Sequence, residues 1–301
     1  MKMNFYGREL NVYRANLHTH TTTSDGEFTP QETVNAYAAA GYDVLNLSDH
    51  WKTNDISQLD PQGMTLLSGI ELAPSGPRRI ECHILGIDVP YGFPGYYDSV
   101  QEGIDSIKSS GGLAFMAHPR FSGLTCTDLL EYDNLLGIEV YNTASRFSGK
   151  ESSAAVWDEL LYFKRDYTAL AVDDMHSDTD KFGGWTMICA VDKSRESIVQ
   201  ALRDGCFYAT QGPQIYALEY ENGIFRAKFD PAVRAMVMAD RSLAQCIRVE
   251  AAPGMAETPL AESCEINIAK WLAPGQYFRL EIMDERGRFA WSNPIRFKAA
   301  E

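Results

Sequence analysis

Asn16-Leu17-His18-Thr19-His20, followed closely by Ser24-Asp25-Gly26, is the stretch from which the fold is read. Two histidines one residue apart on a strand carry both imidazoles on the same face. Asp25 comes five residues after His20, in a polar turn that can fold back over the rings. Imidazole and carboxylate are the ligands a borderline divalent cation takes.

Working outward, residues of the same kind recur at the ends of short apolar runs. From Val12 to about Gln211 such runs alternate with helix-period segments, the signature of βα units. The pattern predicts strands over 13–18, 43–48, 64–70, 80–86, 112–117, 136–142 and 167–172. Six of these seven bring ligand-type residues: His18 and His20, His50 beside Asp49, Glu71, His83, His118 before Pro119, and Asp174 with His176. In barrel-like α/β domains the C-terminal strand edge is where sites are built. The predicted helices are 30–41, 98–109, 151–163 and 195–203. The first is the most explicit, with Thr29 as N-cap, Pro30 at the first position, Glu32 completing a capping box and Gly41 as the stop.

After Gln211-Gly212-Pro213 the period changes to strict alternation, as in Phe225, Ala227 and Phe229 or Phe278, Leu280 and Ile282. Asn222-Gly223 and Arg286-Gly287 read as hairpin turns. These signals predict a small antiparallel β-sandwich over 214–301, after an α/β domain over 1–213. Its aromatics, among them Trp271, Phe289 and Trp291, read as core.

The chain of 301 residues carries a formal net charge of −14. That surface repels polyanions, so duplex nucleic acid is not an expected partner, whereas a small anionic substrate is compatible. No apolar run is long enough to span a bilayer and the N-terminus lacks a signal-type apolar segment, so a cytoplasmic protein is expected. The six cysteines are scattered without a CxxC pair and read as reduced. All six histidines fall at or before position 176, and every one stands at a predicted strand edge.

His18-Thr19-His20, Ser24-Asp25-Gly26, Asp49-His50, Glu71, His83, Ala117-His118-Pro119 and Asp174-Met175-His176 resemble the ligand motifs of the PHP (polymerase and histidinol phosphatase) superfamily, over about residues 12–211. The resemblance implies a distorted (β/α)7 barrel holding two or three divalent metals (Mn, Fe or Zn). By similarity His18, His20, Glu71 and Asp174 hold the first, Glu71 bridges to a second held by His83 and His118, and Asp25, His50 and His176 hold the third. Ala201–Pro213 followed by a sandwich is similar to the carbaryl-hydrolase-like branch.

The function expected is hydrolysis of a small phosphate ester by metal-activated hydroxide. A carbamate, carboxylate ester or amide is the alternative substrate class, and a metal-braced binding protein is the non-enzymatic alternative. Arg120, directly after His118-Pro119, and Arg146 are the candidate phosphate clamps. Arg78, Arg79 and Lys150 read as solvated loop charges. Asp173, next to Asp174, is expected to support the ligands, Asp49 to fix an imidazole or form a turn, and Glu139 to touch the cluster or orient a ligand. Oligomeric state is not legible.

Overall fold

Parallel strands covered on both faces need apolar residues at every position. Leu113–Met116 has this character throughout, and Val44–Leu47 and Gly137–Asn142 have it except at Asn46, Glu139 and Asn142; every residue in the three is buried. A computed structural model of the chain describes residues 1–251 and 259–298. In chain order the first part runs β1 Lys2–Phe5, β2 Arg8–Asn16, α1 Pro30–Ala39, β3 Val44–Leu47, β4 Thr65–Ser68, β5 Ile70–Leu72, β6 Ile84–Ile87, α2 Val100–Ser109 and β7 Leu113–Met116. It continues with α3 Pro119–Ser122, α4 Cys126–Leu129, β8 Gly137–Asn142, α5 Ala154–Tyr162, β9 Thr168–Val172, β10 Trp185–Ala190, α6 Arg195–Arg203 and β11 Phe207–Thr210. The last part is all strand: β12 Ile215–Glu221, β13 Ile224–Ala232, β14 Arg234–Ala239, β15 Ala244–Arg248, β16 Ala261–Asn267, β17 Tyr277–Met283, β18 Phe289–Ser292 and β19 Ile295–Arg296.

The architecture is mixed α/β, with a nearly closed barrel-like arrangement. β2, β3 and β4 are parallel neighbours. β5 to β9 form a second sheet, in which β7, β8 and β9 are parallel. Isolated bridges Thr19↔Met175 and His50↔Glu71 knit the two sheets together at the strand ends. Leu17, Val44, Leu67, Leu85, Phe115 and Leu170 belong to the apolar core.

Two expected strands differ in a way that matters for the site. The run 64–70 is not one strand but two, broken at Gly69. A Cβ there would lie 2.3 Å from the Asn46 side chain, so only glycine lets the chain step from one sheet to the other, and Glu71 ends up inside β5. The second strand starts at Ile84, after His83, and runs antiparallel to β7. Reversed direction puts the start of β6 at the edge where the parallel strands end, so His83 arrives there from the opposite side. Between β3 and β4 there is one short 3-10 turn, Ile56–Gln58, in place of a full helix.

The C-terminal strands extend the barrel's own sheet. β12 pairs with β1 and β18 pairs with β11, giving fourteen strands in one sheet. Its two wings meet through Phe225 against Phe278, with ring centroids 5.4 Å apart. Asn222 and Gly223 both have positive φ, at 51° and 76°, as a two-residue hairpin between β12 and β13 requires. Among the described residues no helix is long and apolar enough to cross a membrane.

Candidate metal centre

β2 and β9 lie on either side of the cluster, and the loops that follow them are joined by the Thr19↔Met175 bridge. Leu17 enters the core while His18 and His20 face the barrel mouth, both fully buried. Their Nε2 atoms are 3.0 Å apart. Both converge on the same two oxygens: Glu71 Oε2 lies 3.3 and 3.2 Å from them, and Asp174 Oδ1 lies 3.2 and 3.1 Å away. Glu71 presents its other oxygen, Oε1, to His83 Nδ1 at 2.9 Å and His118 Nε2 at 3.2 Å. His50 Nδ1 is 3.1 Å from Glu71 Oε2. Farther out, Asp25 Oδ2 lies 3.7 Å from His50 Nε2 and 3.6 Å from His176 Nε2, and the His176 ring stacks on that of His20 with centroids 4.1 Å apart.

The nine predicted ligands therefore come together. Three groups have ligand atoms close enough to share a cation: His18, His20, Glu71 and Asp174; His50, Glu71 and His83; and His20, Asp25, His50 and His176. Three buried atoms of these residues, His20 Nδ1, His50 Nδ1 and Asp174 Oδ1, make no hydrogen bond. Buried polar atoms are nearly always bonded. Two imidazole nitrogens 3.0 Å apart, both aimed at carboxylate oxygens, fit a divalent cation better than they fit one another.

The electrostatics agree. Burial drives the Glu71 carboxyl up, but the charges of His18 and His83 outweigh it and hold it well below the usual carboxylate range. Asp174 is likewise held well below by His18 and His20, against burial. Burial drives His18 and His20 down, yet the carboxylates outweigh it, so His18 is raised well above its ordinary value and His20 is raised to about 9. With protons as the only positive charge available, the cluster takes them up. His50 is instead lowered, first by burial.

Backbone strain gathers at the same edge. His118 and Asp174 have φ of 27° and 54°, and Trp51, next to His50, has 58°. A non-glycine residue in such a region costs about 1 kcal/mol or more, and such residues cluster at functional sites.

β8, the predicted strand without a ligand residue at its end, supplies positioning groups instead. Glu139 is fully buried and accepts from His18 Nδ1 at 2.6 Å and from the His118 backbone N–H at 2.8 Å. That fixes the His18 tautomer with Nε2 free toward the cluster. Asn142 Nδ2 donates to Glu139 and to Asp174 Oδ2, at 2.9 and 3.1 Å. Asn142 was missed in the sequence, although its place at a strand end was the available signal. Asp180, which accepts from the His176 backbone N–H, and Ser122, 3.2 Å from His118 Nδ1, carry no sequence signal at all.

Three expected residues stand elsewhere. Asp173 points away from the cluster: its carboxylate takes bonds from Tyr37, Thr143 and the backbone N–H groups of Phe182, Gly183 and Gly184. Successive residues at a strand end face opposite ways, which is why Asp173 and Asp174 part. Arg120 donates to Ser152 O, and Arg146 to Thr143 O and Thr179 O. The cleft above the cluster, about 390 Å³, is lined by His50, Glu71, His83, His118, Asp174 and His176, with Phe121, Ala144, Ser145, Phe147 and Asp180. Neither arginine is among them. Asp49 proves to be a turn former, holding Thr21, Ser24 and Asn54.

This fold is shared with a solved structure described as a two-domain protein containing a predicted PHP-like metal-dependent phosphoesterase, from Bacteroides vulgatus, at 15% identity and a TM-score of 0.55 over 96% of each chain. The likeness is one of fold and extends over nearly the whole chain. Among curated proteins, a 3',5'-nucleoside bisphosphate phosphatase of Chromobacterium violaceum is 31% identical over 96 residues. The match covers 31% of this chain and only 32% of that relative's length. A lesion-specific endonuclease of Pyrococcus furiosus aligns with 64% of this chain and 56% of its own at 16% identity, with a TM-score of 0.46, too low to carry an argument. No family model matches the chain.

Proposed function

We propose that this chain is a metal-dependent phosphoesterase acting on a small phosphorylated substrate. The observation that carries the reading is Glu71. One buried carboxylate sends Oε2 to His18, His20 and His50 and Oε1 to His83 and His118. A carboxylate serving two groups of imidazoles is suited to bridging two cations, and a site of more than one cation is suited to displacement at phosphorus.

In this reading His18, His20, Glu71 and Asp174 hold one cation, Glu71, His83 and His118 a second, and Asp25, His50 and His176 a third. Divalent ions bound there (Mn, Fe or Zn) supply Lewis acidity, acidifying water and offsetting charge that develops on the phosphoryl group. The chain's own residues do the positioning. Glu139 keeps His18 Nδ1 protonated and its Nε2 free. Asn142 anchors Asp174 and Glu139 together. Asp173 ties β9 to α1 through Tyr37 and acts on the site only by holding Asp174 in place. Residues 1–213 carry the chemistry, and 214–301 form an accessory β unit.

Hydrolysis by the Mn2+-loaded protein tests this, on a panel of phosphomonoesters, phosphodiesters and carboxylate esters with His20→Ala as control. Phosphate-ester turnover lost in the variant is the expected result. Turnover confined to carboxylate esters would transfer the protein to the carbamate and ester hydrolases, the branch its C-terminal stretch resembles. Turnover that survives in His20→Ala would detach the activity from the cluster.

A further inference from the structure

The walls of the cleft differ from what a polyphosphorylated substrate needs. Among the described residues no lysine or arginine lines it, and the one charged side chain in the lining beyond the candidate ligands is Asp180, an anion. What the walls do carry is Phe121 and Phe147, which stay 47% and 70% exposed although both are large and apolar.

Neither ring is there by accident of a loose loop. Phe121 lies on α3, the turn that begins directly after His118, and its ring stands edge-on to the His118 imidazole at 5.3 Å. Ser122 of the same turn contacts His118 Nδ1 at 3.2 Å. Phe147 lies on a 3-10 turn, Ala144–Ser148, directly after β8. That turn is fastened to the cluster: Ser145 donates through both its backbone N–H and its hydroxyl to Asn142 Oδ1, and the Asn142 amide holds Asp174. The Arg146 guanidinium sits 4.5 Å from the Phe147 ring centroid and is held by Thr143 O and Thr179 O, so it braces the ring and is not offered to the cleft. Two exposed aromatic rings, each carried on a turn tied to the histidine cluster, offer a surface for a flat apolar group.

We infer that the preferred substrate is a phosphate monoester whose alcohol half carries a flat apolar ring, received by Phe121 and Phe147 while the phosphoryl group faces the histidine cluster. This rests on the phosphoesterase reading and narrows it. The reaction is plain hydrolysis: the P–O bond to the alcohol breaks, water oxygen bonds to phosphorus, and the alkoxide leaves as the alcohol with a proton from water. Away from the histidine cluster, a second phosphate on the substrate would meet Asp180 and, among the described residues, no lysine or arginine.

The test compares 2-phenylethyl phosphate with n-propyl phosphate on the Mn2+-loaded full chain. Both release a simple alkanol, so intrinsic reactivity is matched and the ring is the difference. The inference predicts kcat/KM at least tenfold higher for the phenylethyl ester, with the gain mostly in KM. In Phe147→Ala, and further in the Phe121→Ala/Phe147→Ala pair, the ratio of the two esters falls toward one, while Phe147→Tyr retains it. Circular dichroism of each variant shows whether it is folded. Equal turnover of both esters by the native protein, or a ratio that survives loss of both rings, overturns the inference and leaves the phosphoesterase reading standing. A nucleoside 3',5'-bisphosphate turned over better than its monophosphate also overturns it. Hydrolysis of neither ester nor any other phosphate ester sinks the phosphoesterase reading itself.

Discussion

Two of the places where charge is buried among the described residues are built differently. Where the C-terminal strands meet the barrel, Arg279 is almost wholly buried on β17. Its Nε and Nη2 donate to Asp158 and its Nη1 to Glu281, each at 2.9 Å, and its guanidinium lies 4.7 Å from the Trp157 ring centroid. Each of its nitrogens has a partner. At the barrel mouth, by contrast, six histidines and three carboxylates leave His20 Nδ1, His50 Nδ1 and Asp174 Oδ1 without hydrogen bonds. A buried network closed upon itself is a structural fastening. One that converges but stays open is arranged around something the chain does not supply.

The contrast can be broken most severely at its open end. Glu71→Gln removes the charge shared by both groups of histidines. Loss of even an orienting partner costs about 10–100-fold in metal affinity or activity, so this variant is expected to exceed that range in a phosphate-ester assay, with little change in fold. At the closed end, Arg279→Ala takes the cation from Asp158, which keeps only the Tyr277 hydroxyl, and from Glu281. Removing one partner of a buried pair costs about 3–5 kcal/mol, so thermal unfolding should fall by roughly 10 °C. Arg279→Met, which keeps the packing, should lose less. If Arg279→Ala abolished metal binding and left stability intact, the division between the two regions would be wrong.

Glu139→Gln is a smaller intervention on the open end. It weakens the hold on His18 while keeping the shape, and a loss of about 10–100-fold in Mn2+ affinity is expected by titration calorimetry.

The pH dependence sharpens the same point. His18 and His20 are raised in the folded chain, His20 to about 9 from 6.5. Without cations the contribution of His20 to stability is complete below about pH 6.5 and is lost as pH rises through about 9, and that of His18 is lost as pH rises through its own raised value. Glu71 and Asp174, held low, contribute above their ordinary range and lose that contribution as pH falls through their depressed values. A cation must displace the imidazole protons. The rise in unfolding temperature on adding Mn2+ should therefore grow from pH 6.5 to 9, and calorimetry in buffers of different ionisation heat should show proton release. A rise independent of pH would contradict the assignment of His18 and His20 as ligands. The smallest effect is expected for Arg120→Ala, whose guanidinium is bonded to Ser152 O outside the cleft; an exposed substitution of this kind is worth about 0.5 kcal/mol or less of stability, and phosphate-ester turnover should be unchanged.

What could be read from the sequence follows from locality. The capping box at Thr29 and Glu32 is present as expected, because all its partners lie within one turn. The histidine edge was legible because parallel strands deliver their ends to one side whatever their order. Less was legible where distant segments decide. β10 and β11 enter the sheet through antiparallel pairings with β2 and with each other, and neither was predicted. The reversed β6 brings His83 to the site by its start. On β17 the alternation of Phe278, Leu280 and Ile282 marks one buried face correctly. The opposite face is covered too, by the Asp158 region of α5, so Arg279 between them is buried where alternation predicts solvent. Asp173 and Asp174 differ in fate for a similar reason: six backbone and side-chain donors gather around the first, from segments up to 157 residues away, and none of them can be seen from the dipeptide.

Metal content tests the central claim most directly. The native chain and Glu71→Gln would each be loaded with Mn2+, freed of excess ion and analysed by elemental mass spectrometry. An open cluster bridged by Glu71 predicts two or three ions per native chain and at most one in the variant. One ion or none in the native chain, or an undiminished count in the variant, would contradict it.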